Sequence, residues 1–386
     1  MNIIMITSEP PYPANSGGRI YTWERIKILS KSNNIYLYSI DDIEKDQEHI
    51  LKYCKKVNFY GRNKNLVKSV INISKPYTAF SRYSSKMKEN IKSDIKTYDI
   101  DLIILDMPQL YYNLPQNNEI PVVLTQHNIE YKTFFNISKN SKNIFKKLVF
   151  FFEGIKLKIF EKNFLKEKCI DMCTFISEDD KNFFEINFPK MKSVLIPFGY
   201  EFVNKDYVKM KKNRIVFTGK MDYQPNIDAV KYFTSNIFNI IEKNVENVEF
   251  YIVGKNPTRE VLELKRNNII VTGAVDNVEK YIDESELIVI PLLSGGGVKI
   301  KLLQALGREN IVVTTDKGIE GTMFKNGEHV LVENTCNEFA LRCIDVLNNR
   351  NKYEYLVANS KNLIIREYSW KSIGEKYNSI LNELIM

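Results

Sequence analysis

Arg214-Ile215-Val216-Phe217-Thr218-Gly219 is a short, continuous apolar run that ends on a glycine and leads, through Lys220 to Asn226, into a helical pattern. A run without polar alternation reads as a parallel strand covered on both faces. The same arrangement stands at the start of the chain. There Asn2-Ile3-Ile4-Met5-Ile6-Thr7 precedes a Pro-rich loop, the glycine pair Gly17-Gly18 and a helical spacing of Ile20, Trp23, Ile26 and Leu29. Outward from these two runs, further strands are predicted at 35–39, 57–60, 102–105, 122–125, 173–176 and 194–196. After the second opening run they recur at 248–253, 269–272, 287–290, 311–314 and 330–332. Strands alternating with helices twice over predict two doubly wound α/β domains. Pro197-Phe198-Gly199-Tyr200 closes the first, and the polar, Lys-rich segment 204–213 separates the two. The boundaries expected are 1–200, 201–366 and a tail helix over 367–386. Ile373, Tyr377, Ile380, Leu381 and Leu384 give that tail a helical stripe.

The bulk properties agree. A chain of 386 residues exceeds one ordinary domain. Apolar residues at 44% and charged residues at 26% are values for a globular protein. Up to residue 200 there are 30 basic and 22 acidic side chains, against 25 and 25 beyond, so the net charge of +8 lies in the first part. That asymmetry points to two domains meeting different partners. No apolar window reaches the length of a membrane span, and the N-terminus lacks the basic region of a secretory signal. Five cysteines without a CxxC pair read as reduced thiols of a cytoplasmic protein. With three histidines and no HExxH, a dedicated transition-metal site is not expected.

Four places carry candidate chemistry. Ser16-Gly17-Gly18-Arg19 puts glycines at a helix start, where free N–H groups meet anions, although a tight turn accounts for them equally well. His127, in Gln126-His127-Asn128-Ile129-Glu130, follows a strand end, and imidazole titrates near neutrality. The alternative for it is a hydrogen-bonded structural histidine. Gly219 and Lys220 repeat the first arrangement in the second domain, again with a plain turn as the alternative. The run Ser294-Gly295-Gly296-Gly297-Val298-Lys299-Ile300-Lys301-Leu302-Leu303-Gln304 is the most specific. Its glycines offer a backbone nest for phosphate oxygens, Lys299 and Lys301 add cations in what reads as the first helical turn, and Gln304 suits a ribose. In open parallel sheets such loops lie where ligands bind.

Together these places resemble the family 4 glycosyltransferases, which have the GT-B fold of two facing Rossmann-like domains with a cleft between them. The resemblance covers nearly the whole chain. Gly219-Lys220-Met221 through Pro225-Asn226 and Gly295-Gly296-Gly297-Val298-Lys299-Ile300-Lys301 look like its donor motifs. Gly17-Gly18 matches its N-terminal glycine pair, His127 its strand-end histidine, Ile176-Ser177-Glu178 its strand-end serine and Tyr368-Ser369-Trp370 its C-terminal signature. The resemblance implies a metal-independent, retaining hexosyltransferase without a cofactor, using a nucleotide-sugar such as a UDP- or GDP-hexose. It implies His127 near the reacting sugar, Gly17, Gly18 and Asn128 on the acceptor or phosphate side, and a surface-polysaccharide, lipid-linked or protein glycan as acceptor. The tail helix crosses back to the first domain in that family.

The sequence departs from the family at four points, one being that the lysine common in its first donor motif is missing near Pro225 or Asn226. Gly296 and Gln304 stand where a pair of glutamates is common, and Glu309 replaces a glycine that follows the donor helix. These leave a catalytically degenerate partner subunit open as an alternative, and a nucleotide-sugar 2-epimerase, which also uses two facing Rossmann-like domains, is another. Residues 139–168 hold nine lysines against Glu153, Glu161 and Glu167, with Ile144, Leu148, Phe151, Ile155 and Ile159 at helical spacing. A core helix with a solvated lysine face is one reading. The other is peripheral contact with the inner face of the cell membrane. Nucleic acid is not expected as a partner, because no nucleic-acid module is present.

Overall fold

The computed structural model describes residues 1–41, 47–63, 75–115, 119–141, 143–166, 169–202 and 209–385. Lys142, Glu167, Lys168 and residues 204–208 of the polar segment lie outside the described residues. The chain divides into two compact units, Met1–Pro197 with Ile373–Met386, and Phe198–Ser372.

The first unit is built on a seven-stranded sheet in the order β3-β2-β1-β4-β5-β6-β7. Its strands are β1 Asn2–Thr7, β2 Asn34–Ile40, β3 Lys56–Tyr60, β4 Leu102–Leu105, β5 Val122–Gln126, β6 Met172–Phe175 and β7 Lys192–Leu195. All pairings are parallel, with Ile3 opposite both Ile35 and Leu102. The residues Leu-Ile-Ile-Leu of β4 are buried throughout, as a strand with helices on both faces requires. The helix Trp370–Ile385 lays Ile373, Tyr377 and Leu381 into the core of this unit. A Cβ at Gly374 would come within 2.4 Å of Ile28, so the helix Gly17–Leu29 and the tail approach closely there.

The second unit has a six-stranded parallel sheet, β10-β9-β8-β11-β12-β13. The strands are β8 Arg214–Thr218, β9 Glu249–Val253, β10 Ile269–Gly273, β11 Leu287–Ile290, β12 Val312–Thr314 and β13 Leu331–Val332. In each unit the sheet grows to one side from its first strand and then to the other. The strand order reverses between β1 and β4, and again between β8 and β11. At such a reversal the two flanking loops leave the carboxyl ends in opposite directions and open a crevice.

Candidate functional site

At the β8/β11 reversal lies a cavity of about 580 Å³. Of the residues singled out by sequence, Gly219, Lys220, Gly295, Gly296, Lys299, Lys301 and Gln304 line it, while Gly297 does not. Gly219 ends β8, and a Cβ there would lie 2.7 Å from Asn226 Nδ2 and 2.8 Å from Lys301 Nζ. That space is filled by a polar clasp. Asn226 Nδ2 donates to the Lys220 carbonyl at 2.8 Å, and Lys301 Nζ donates to Asn226 Oδ1 at 2.7 Å. The Lys301 ammonium also sits 3.9 Å from the centre of the Phe217 ring.

The glycine loop takes its shape from Gly295 at φ 108° and Gly297 at φ 71°, a region that side chains with a Cβ rarely enter. Among the described residues no atom comes within 4 Å of a Cβ built on Gly296. The sequence reading placed both lysines in the first helical turn. In the structure the helix is Ile300–Gly307, and Lys299 is its extended N-cap. The positive φ of Gly297 turns the chain late, so the helix begins one residue further on. Lys299 folds back, donating from Nζ to the Gly297 carbonyl at 2.5 Å, with Glu320 Oε2 at 3.6 Å. Lys301 has a different environment. Burial, and then the charge of Lys299, lower its ammonium pKa to about 7.

Lys220 and Lys255 are exposed cations of the cavity lining. Of the two, Lys220 was singled out by sequence. It is 55% exposed and pairs with Asp222 at 3.3 Å. Glu309 falls outside the lining. It sits at φ 63° beyond the helix Ile300–Gly307, ion-paired to Lys361 at 2.8 Å, so it does not obstruct the glycine loop. Tyr223, Gly254, Asp276 and Glu279 also line the cavity and were not singled out by sequence. A signal for the last two existed. Gly273 ends β10, and Asn277 then caps the helix Val278–Asp283 by accepting from Lys280 N at 2.9 Å.

The β1/β4 reversal of the first unit holds a buried polar network. Asp106 follows β4 and accepts from Thr22 Oγ1 at 2.7 Å and from Arg25 Nη2. Arg25 Nη1 donates to Thr125 Oγ1 of β5 at 2.6 Å. His127 Nε2 lies 3.1 Å from Asp106 Oδ1, and the Tyr21 ring stands edge-on to the imidazole at 5.4 Å. Burial opposes the charge of Asp106, but Arg25, His127 and Thr22 more than offset it and hold the carboxyl below its ordinary range. An ionised Asp106 only accepts, so Nε2 of His127 carries the hydrogen and Nδ1 is left for other contacts. Sequence reasoning found His127 but missed Asp106 and Arg25. It also passed over Glu130, whose carboxyl burial pushes upward although Arg82, His127 and Gln109 pull it back.

The remaining positions are simpler. Gly17 and Gly18 open the helix Gly17–Leu29, where Ser16 accepts from Arg19 N at 3.5 Å. Asn128 follows His127 and is half-buried. Ser177 caps the helix Glu178–Asn187, accepting from Asp180 N at 3.3 Å.

Two doubly wound parallel units, the second with a glycine- and lysine-lined cavity at its strand-order reversal, are the architecture of the GT-B fold. Residues 212–349, within the second unit, match the family model Glycosyl transferases group 1. A Klebsiella pneumoniae protein, "Uncharacterized 44.6 kDa protein in cps region", is 26% identical over 402 residues, 99% of either chain. Among solved structures, TarM of S. aureus superposes with a TM-score of 0.69 at 14% identity, covering 99% of this chain and 98% of that one. Alr3699/HepE of Anabaena, in complex with UDP, gives a TM-score of 0.64 at 10% identity, covering 99% and 100%. These structural likenesses are of fold.

Proposed function

We propose that the chain transfers a hexose from a nucleotide-diphosphate sugar to a surface-polysaccharide, lipid-linked or protein glycan acceptor, with retention at the anomeric carbon. The observation that carries this reading is the cavity at the β8/β11 reversal. It has the volume of a small-ligand site and joins a glycine loop to two inward cations, Lys299 and Lys301. Backbone N–H groups of that loop and the helix start at Ile300 suit diphosphate oxygens. Gln304, on the same helix and lining the cavity, suits the ribose.

The diphosphate is the leaving group. As the bond from the anomeric carbon to phosphate oxygen breaks, negative charge grows on that oxygen. Lys299, Lys301 and the exposed Lys220 offset it without a metal ion or other cofactor. The acceptor hydroxyl attacks on the face the leaving group departs from, and the diphosphate takes its proton. His127, held through Nε2 by Asp106, contacts the transferred sugar, and Gly17, Gly18 and Asn128 serve the acceptor or phosphate side. HepE is known in complex with UDP, and the Klebsiella relative lies in a cps region. Both support a UDP-sugar and a cell-surface glycan. The enzyme then works on the cytoplasmic side, with membrane contact through 139–168. Among the described residues no helix is long and apolar enough to cross a membrane.

Gly296, Gln304 and Glu309 motivated the degenerate-subunit alternative; Gly296 and Gln304 line the cavity, and the position of Glu309 off it favours turnover. A screen of nucleotide sugars by thermal shift and product analysis tests the reading. A bound donor at about 100 times its dissociation constant stabilises by about 2.7 kcal/mol. No binding by UDP-, GDP-, TDP- or ADP-sugars would overturn it.

A further inference from the structure

The fully buried residues of the helix Ile144–Lys166 all lie in its second part. There Leu157, Phe160, Phe164 and Leu165 are buried, and Tyr111 stacks on Phe164 at 4.8 Å. Ahead of Glu153 the large apolar side chains face solvent: Ile144 is 77% exposed, Phe145 73%, Phe152 58%, Leu148 50% and Val149 47%. Ile137, on the helix Glu130–Asn140 that packs against it, is 41% exposed. The sequence reading expected a helical stripe widened by Phe145, Val149 and Phe152. Successive pairs such as Ile144 and Phe145, or Leu148 and Val149, point about 100° apart and carry the apolar surface around the helix start. This is the tip of a helix pair, not a face laid against the core. A contiguous apolar surface of this kind on a protein marks an interaction site.

Charge indicates what covers it. From 131 to 152 the sequence has five lysines and no acidic residue. Two copies of the tip facing each other would set lysines against lysines. An anionic bilayer accepts both components, with apolar side chains below the headgroups and ammonium groups at the phosphates. Nine helical residues span about 13 Å, enough to enter the interface.

We propose that residues 144–152 insert into the headgroup region of an anionic lipid bilayer, with Lys139, Lys146 and Lys147 at the lipid phosphates. This rests on apolar exposure and charge at the tip and is independent of the sugar donor. The test uses the full chain, floated with vesicles of phosphatidylcholine alone or mixed with phosphatidylglycerol. Binding is expected with the mixed vesicles and to weaken as salt rises. Lys146→Ala and Lys147→Ala should each weaken it about five-fold, and the double variant Phe145→Ser/Phe152→Ser should abolish it. Each variant should keep the wild-type thermal transition and the wild-type affinity for UDP. Equal binding to both vesicle types, no flotation, or undiminished binding by the double variant would overturn the proposal. So would a wild-type dimer in light scattering that the double variant dissociates, because the tip would then belong to a second copy. Vesicle binding without any nucleotide-sugar affinity would overturn the transferase reading and leave this one standing.

Discussion

Lys301 Nζ is bonded to Asn226 Oδ1 at 2.7 Å, across 75 residues of sequence, and among the described residues no carboxylate pairs with it. A buried ammonium held by an amide oxygen and an aromatic ring is poised for an anion.

Replacing that cation tests the poise. Lys301→Met keeps the stem and removes the charge. A hydrogen bond involving a charged group is worth about 1.5–3 kcal/mol. The expected loss of UDP affinity is therefore about ten- to a hundred-fold, read by calorimetry, with the fold unchanged by circular dichroism.

The lowered pKa of Lys301, about 7, predicts a proton linkage. Above that pH the free site carries a neutral amine, and an arriving diphosphate favours the ammonium. Binding at pH 8 should take up protons, visible as a buffer-dependent calorimetric enthalpy, and affinity should fall as pH rises from 7 to 9. Without ligand the unfolded chain binds the extra proton between pH 7 and the ordinary lysine value. This group's contribution to stability should therefore rise with pH across that window.

Gly219 and Gly296 give a paired steric test. Alanine at 219 meets the Asn226 amide at 2.7 Å and the Lys301 ammonium at 2.8 Å, whereas at 296 it meets nothing within 4 Å among the described residues. Gly219→Ala should cost about 1–3 kcal/mol in unfolding free energy and weaken donor binding. Gly296→Ala should leave the unfolding free energy near wild type, as measured by denaturant titration.

Asp106→Asn leaves Arg25 buried with an uncharged partner, which costs about 3–5 kcal/mol. The depressed pKa of Asp106 means that its stabilisation is present above the ordinary carboxylate value and is lost as pH falls through the lower folded one. The variant should flatten the acid limb of the stability profile. It should also lower kcat by freeing the His127 ring, an effect that a purely structural aspartate would not have.

Much of this was legible before any coordinates. The central strands of both sheets are continuous apolar runs, and the glycine loop that borders the cavity is visible in Gly295-Gly296-Gly297 with Lys299 and Lys301. Hidden instead were the partnerships. Arg25 looks like a surface charge on a helix until the fold brings Asp106, 81 residues on, against it. The Asn226–Lys301 clasp is equally non-local. The exposure of Phe145 and Phe152 was unreadable for another reason, since apolar residues at helical spacing fit a core and an open tip alike.

The most direct measurement is a transfer assay with a panel of nucleotide sugars and the purified chain, in chelator, following release of the nucleoside diphosphate and the anomeric configuration of the product by NMR. The account predicts turnover of one donor class, retention of configuration, indifference to the chelator and a large loss with Lys301→Met. Turnover that needs an added metal ion, inversion of configuration, or isomerisation of the donor sugar without transfer would contradict it.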